Sequence, residues 1–102
     1  MDGPKVAFDE VPWEILAPGS RHKLVVRDGR RLRLLELDER FVEPDWCTRG
    51  HFGVVVSGTL RLDTPEGEAI LQPGDALALP AGARHKASVA QGRAVLFLVE
   101  DA

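Results

Sequence analysis

The chain has a single cysteine, Cys47, in 102 residues, so no internal disulfide framework can form. That usage predicts a reducing cytoplasm as the compartment. No apolar run approaches the ~20 residues that a membrane-crossing helix needs, so no membrane partner is expected. The opening residues, MDGPKVAFDEVPWE, are acidic and lack an apolar signal core. An excess of positive charge is missing too. Thirteen Lys and Arg against sixteen Asp and Glu give a net charge of −3 and a pI near 5.5. A general nucleic-acid binder carries a strongly basic face, so no nucleic-acid partner is expected. One basic stretch exists, Arg21, Lys23, Arg27, Arg30, Arg31 and Arg33. It has no aromatic interleaving for base stacking and reads as solvent-facing strand charge, with His22 exposed among it. There is no internal repeat, no low-complexity tract and no long helical period.

What remains is ordinary globular composition, 44% apolar and 28% charged. One domain is the expected count, and a (β/α)8 barrel, at ~250 residues, will not fit. Residues 1–19 carry Pro4, Pro12, Pro18 and Gly19 and read as an irregular segment packing on the domain, with Val11 to Leu16 able to make one helical turn. Residues 20–102 alternate between short apolar stretches and turn signals. His22–Val26 precedes Asp28-Gly29, a strong hairpin dipeptide. Arg31–Leu37, Phe52–Val56, Thr59–Asp63, Ala69–Leu71, Ala76–Leu79, His85–Val89 and Ala94–Val99 follow, separated by Gly and Pro. Glu100-Asp101-Ala102 reads as a polar end. About eight closely spaced strands predict an all-β sandwich or barrel.

The second half has a specific grammar: Gly74, five residues, Pro80-Ala81-Gly82, two residues, His85. Gly74-Asp75 turns into a strand, Pro80 ends it, Gly82 permits a reversal, and the next strand delivers His85 to one face together with Ala87 and Val89. These residues resemble the second motif of the cupin superfamily, G-x5-P-x-G-x2-H-x3-N, with Val89 in place of the Asn. The superfamily's first motif is G-x5-H-x-H-x3,4-E-x6-G. Anchored on Gly58, its Glu slot falls on His51 and its two His slots on Cys47 and Asp45, so every ligand of motif one is replaced. Fifteen residues separate Gly58 from Gly74, near the short end for the family. The resemblance spans roughly residues 30–100 and implies a single cupin-type jelly-roll β-barrel. It also implies pairing into a homodimer through the outer sheet, where Phe52, Val54 and Val56 would supply an apolar face.

In cupins these four slots bind one divalent metal. Here they hold Asp45, Cys47, His51 and His85, all capable ligands, and the set would suit zinc or iron. Each has a plainer reading. Cys47 also fits a small buried hydrophobe, Asp45 after Pro44 a turn residue, and His51 a hydrogen-bonded core histidine. Trp46, Phe41 and Phe52 are expected at the pocket mouth or in the core. Arg49 and Arg84 are expected in the pocket, and in a metal-free cupin Arg49 or Arg84 would attract an anion. Other chemistry has little support: no G-x-S-x-G elbow, EF-hand loop or G-K-[ST] phosphate loop is present. A Cys47–His thiolate–imidazole pair is a weaker alternative. The expected function is binding of a divalent metal and a small polar metabolite in the barrel mouth, with enzyme status open. The alternatives are a metal-free small-molecule-binding cupin and a dimeric interaction protein.

Overall fold

A computed structural model describes residues 3–101, leaving residues 1, 2 and 102 of the two expected segments outside the description. Among the described residues the order is a 3-10 turn (Phe8–Glu10), then β1 (Glu14–Ala17), β2 (Ser20–Arg27), β3 (Arg30–Asp38), β4 (His51–Ser57), β5 (Leu60–Thr64), β6 (Gly67–Leu71), β7 (Ala76–Leu79), β8 (Lys86–Ser88) and β9 (Arg93–Asp101). The strands form a six-stranded sheet, β1-β2-β3-β9-β4-β7, and a three-stranded sheet, β6-β5-β8. Every pairing is antiparallel, giving the two facing sheets of a jelly-roll barrel.

All eight expected strand stretches are strands, and a ninth precedes them. The N-terminal segment is therefore not irregular throughout. Residues 14–17 do not make a helical turn; Glu14 pairs with His22 and Ile15 with Arg21 as the edge of the large sheet. Gly19, at φ +79°, allows the reversal after Pro18 that brings this edge strand back on β2. Ahead of it, Phe8 packs edge-on against Phe97 at 6.1 Å, and its carbonyl accepts from Lys23 Nζ at 2.8 Å. At the next hairpin, Asp28 and Gly29 both have positive φ and join the Arg27–Arg30 pair, as the dipeptide predicts.

The core lies between the sheets. Leu60 and Leu62 of β5 face Val55 of β4 and Leu96 and Leu98 of β9, all under 10% exposed. Fully burying one such side chain stabilises the fold by about 1.5–3 kcal/mol. Phe52 and Val56 point outward and are each 52% exposed.

Along the inner face of the large sheet the register stacks residues in rows. Arg31 pairs with Glu100; Arg33 with Leu98 and, across β9, Gly53; Leu35 with Leu96 and Val55; Leu37 with Ala94. On β3 and β9 one end of the interior is thus charged and the later rows are aliphatic, while β2 sets His22 opposite Leu35 and Ser20 opposite Leu37. This corrects the reading of the basic stretch: Arg33 is 7% exposed and His22 only 3%, so both are interior residues. Glu100 is likewise no free polar end but the buried penultimate residue of β9, at 4% exposure.

Candidate metal centre

Motif two builds the first wall of the site. The reversal at Pro80–Gly82 is pinned to the segment before β4, because the Gly82 N–H donates to the Thr48 carbonyl at 2.8 Å. Cys47 and His85 then exchange backbone hydrogen bonds of 2.8 and 3.0 Å, an isolated antiparallel bridge. Further along, Glu43 Oε1 accepts the Ala87 N–H at 2.8 Å. The residues before β4 therefore run alongside β8, and Cys47 must sit beside His85. His51 opens β4 opposite Leu79 of β7 and closes the cluster from the large sheet.

One potential ligand atom from each of Cys47, His51 and His85 lies within 4.8 Å of the others. Cys47 Sγ is 4.0 Å from His51 Nε2, and the two imidazoles meet edge-on with centroids 5.2 Å apart. Both rings are oriented for coordination. The Ala83 carbonyl accepts from His85 Nδ1 at 3.0 Å, and the Glu100 carboxylate accepts from His51 Nδ1 at 2.5 Å. A carbonyl and an ionised carboxylate can only accept, so each Nδ1 carries the proton and each Nε2 keeps a lone pair. Two imidazole nitrogens and a sulfur, converging with their outer nitrogens tied down, make a donor set that fits a divalent transition metal.

Glu100 is the residue that sequence reasoning missed. Its carboxylate accepts from Arg33 Nη1 at 2.7 Å and Arg31 Nε at 3.2 Å, with Arg49 Nη1 at 3.7 Å. Burial pushes its pKa up, but the His51 hydrogen bond and the Arg33 charge outweigh that and bring it from 4.5 to about 2. Behind it, Arg33 Nε donates to His22 Nδ1 at 2.9 Å. His22 is held below its ordinary pKa, first by burial and then by the Arg33 charge, despite Glu14 at 3.7 Å from Nε2. The sheet thus carries a continuous polar chain, His22–Arg33–Glu100–His51, ending at the cluster. The signal was strand alternation: Ala94, Leu96 and Leu98 face inward, and two residues further that face holds Glu100.

The other expected site residues fall elsewhere. Asp45 is exposed at a bend and is not part of the cluster. Trp46 is 39% exposed beneath Lys86, Phe52 lies on the outer face, and Arg84 is exposed. Each is the immediate neighbour of a cluster residue, and neighbours on extended chain point to opposite sides. Arg49 and Phe41 do line the interior cavity of about 320 Å³ that the cluster faces. Nine of its nineteen lining residues are leucine, with Ser20, Arg33 and Glu43 among the others, so it is more apolar than the polar metabolite expected from the sequence would suggest.

A family model described as the cupin domain matches residues 43–100, a span holding all three cluster residues and Glu100. The chain belongs to the cupin family. Three solved structures show how closely this cupin follows known barrels. The polyketide cyclase RemF from Streptomyces resistomycificus superposes with a TM-score of 0.81 at 20% identity, over 95% of this chain and 78% of its own. A sugar phosphate isomerase of the cupin superfamily from Silicibacter pomeroyi gives 0.79 at 20%, over 97% and 76%. KdgF from a Halomonas species gives 0.76 at 24%, over 92% and 91%. At these identities the likeness is one of fold. Comparison with curated protein sequences gave no significant match. Among the described residues no helix is long and apolar enough to cross a membrane.

Proposed function

We propose that this cupin binds one divalent transition metal through Cys47, His51 and His85, and a small molecule in the cavity beside it. The observation that carries the reading is the paired tethering of the histidines. Glu100 and the Ala83 carbonyl hold the two Nδ1 atoms, leaving both Nε2 atoms free to meet the Cys47 sulfur. Three protein donors would leave a fourth position open, the pattern of sites that do chemistry rather than hold structure. A metal so bound supplies a Lewis acid and lowers the pKa of bound water. A thiolate with two imidazoles suits zinc or iron, and zinc better, because a thiolate beside iron and oxygen is itself oxidisable. We propose further that Phe52 and Val56, uncovered on the outer face, form part of a homodimer contact.

The test is metal content by elemental mass spectrometry on untagged protein purified without chelator. Near one equivalent per chain is expected in the unaltered protein, falling sharply in Cys47→Ser and His85→Ala. Cobalt substitution gives an independent readout, a thiolate-to-cobalt charge-transfer band lost in Cys47→Ser. An unaltered chain that neither carries nor takes up metal overturns the reading and leaves the metal-free binding alternative.

A further inference from the structure

The cavity beside the cluster is chemically divided. At its charged end stand Cys47, His51 and His85, with Arg49 beside them. Beyond them the wall is Leu35, Leu77, Leu96 and Leu98 from the large sheet and Leu60 and Leu62 from the small one. The row register fixes this order, because on β3 and β9 Arg31 and Glu100 form one row, Arg33 and Leu98 the next, and the last two rows, Leu35–Leu96 and Leu37–Ala94, are aliphatic. Ser20, Arg33 and Glu43 also line the cavity, but a ligand hydroxyl placed away from them would face leucine with no partner. An apolar body needs no such partner there.

The charged end has a sign as well. Arg31, Arg33 and Arg49 all direct their charge at the single carboxylate of Glu100. The cations outnumber the nearby acids even with Glu43 counted, and a divalent ion on one thiolate adds further positive charge. Arg49 is the most exposed of the three arginines and keeps donors to spare, since its contact with Glu100 is 3.7 Å. Size sets the last limit. A cavity of about 150 Å³ lined by leucine and phenylalanine holds a benzene ring. This one, about 320 Å³, has room for a ring and a short chain.

We infer that this cavity takes a small monoanion with an apolar body, an aryl- or alkyl-carboxylate. Its head sits beside Cys47, His51, His85 and Arg49, and its hydrocarbon lies against the leucine rows. The inference rests on the metal-binding reading above for part of its positive charge. The test is titration calorimetry on the zinc-loaded full chain with three probes: 3-phenylpropanoate, the neutral 3-phenylpropan-1-ol, and the polar dianion tartrate. Zinc is counted in the same samples. The expected result is that 3-phenylpropanoate binds at least about tenfold more tightly than either other probe. In Arg49→Met the acid should fall toward the alcohol while the alcohol is unmoved. The acid–alcohol comparison in the unaltered chain decides the point even if that variant unfolds. Tartrate binding as tightly as the acid, or no binding of the acid, overturns the inference; with zinc near one per chain, the metal reading stands. Preference for the acid in a chain that holds no zinc supports the amphiphilic ligand and overturns the metal centre.

Discussion

Glu100 Oε2 lies 2.5 Å from His51 Nδ1 and 2.7 Å from Arg33 Nη1, so one buried oxygen joins the Cys47–His51–His85 cluster to the interior arginine. The carboxylate does two things at once. It fixes the His51 tautomer and ring plane, and it neutralises a guanidinium that would otherwise stand unpaired inside the barrel. Glu100→Gln keeps the shape and removes the charge. Metal affinity, read by competition with a chromophoric chelator, is expected to fall about 10–100-fold, as for other partners that orient a ligand histidine. Glu100→Ala is expected to cost about 3–5 kcal/mol in denaturant unfolding, because Arg33 is then a buried charge without its acid. Unchanged affinity in Glu100→Gln would show that His51 does not depend on this contact.

Asp45 and Arg84 provide the opposite expectation. Both are exposed and outside the cluster, although each lies within two residues of a cluster member. Asp45→Ala and Arg84→Ala should leave metal stoichiometry and affinity unchanged and move stability by no more than about 0.5 kcal/mol. Loss of metal in Asp45→Ala would place a fourth ligand on the bend before Cys47.

Much of this could be read from residue order. Asp28-Gly29 marked a hairpin because only a primed turn asks for two positive φ angles in succession. Gly74 to His85 marked a turn, a strand and a reversal, and Cys47 followed from spacing to Gly58. The interior charges were harder for a physical reason. On β3 both faces carry leucine, Leu32 and Leu34 on one and Leu35 and Leu37 on the other, so alternation could not choose which face Arg33 shared. Its burial is decided by Glu100, 67 positions away, and no local pattern encodes that pairing. Asp45 failed for the converse reason: strand periodicity from Cys47 does not cross the bend at Pro44-Asp45. His22 looked exposed among basic neighbours, yet Arg21 and Lys23 point out beneath Trp13 while His22 points in.

Gly58 carries the turn between β4 and β5 at φ +76°, and a Cβ there would strike the Arg93 carbonyl of β9. Gly58→Ala therefore meets both backbone strain and a clash with another strand. Strain alone should cost about 1–3 kcal/mol, and the clash adds to it. The expected result is a large fall in melting temperature with lower soluble yield. A variant as stable as the unaltered chain would mean that β9 shifts freely away from the turn.

Acid should destabilise the metal-free protein in two separate windows. His22 is held below its ordinary pKa of 6.5, so the unfolded chain takes up a proton before the folded one does. Its contribution is complete above 6.5 and is lost as pH falls through that value, until the folded ring also protonates. Glu100 acts lower. Its pKa drops from 4.5 to about 2 on folding, so its contribution is complete above 4.5 and is lost as pH falls toward 2. A shift of that size corresponds to about 3 kcal/mol. Urea unfolding at pH 7.5, 5.5 and 3.5, with chelator present, should show a first loss between the upper two values and a further loss at the lowest. His22→Gln, which keeps an acceptor for Arg33 but does not titrate, should abolish the first loss and keep the second. Stability that stays flat from pH 7.5 to 5.5 in the unaltered chain would mean that the His22 ring is not buried in its neutral form.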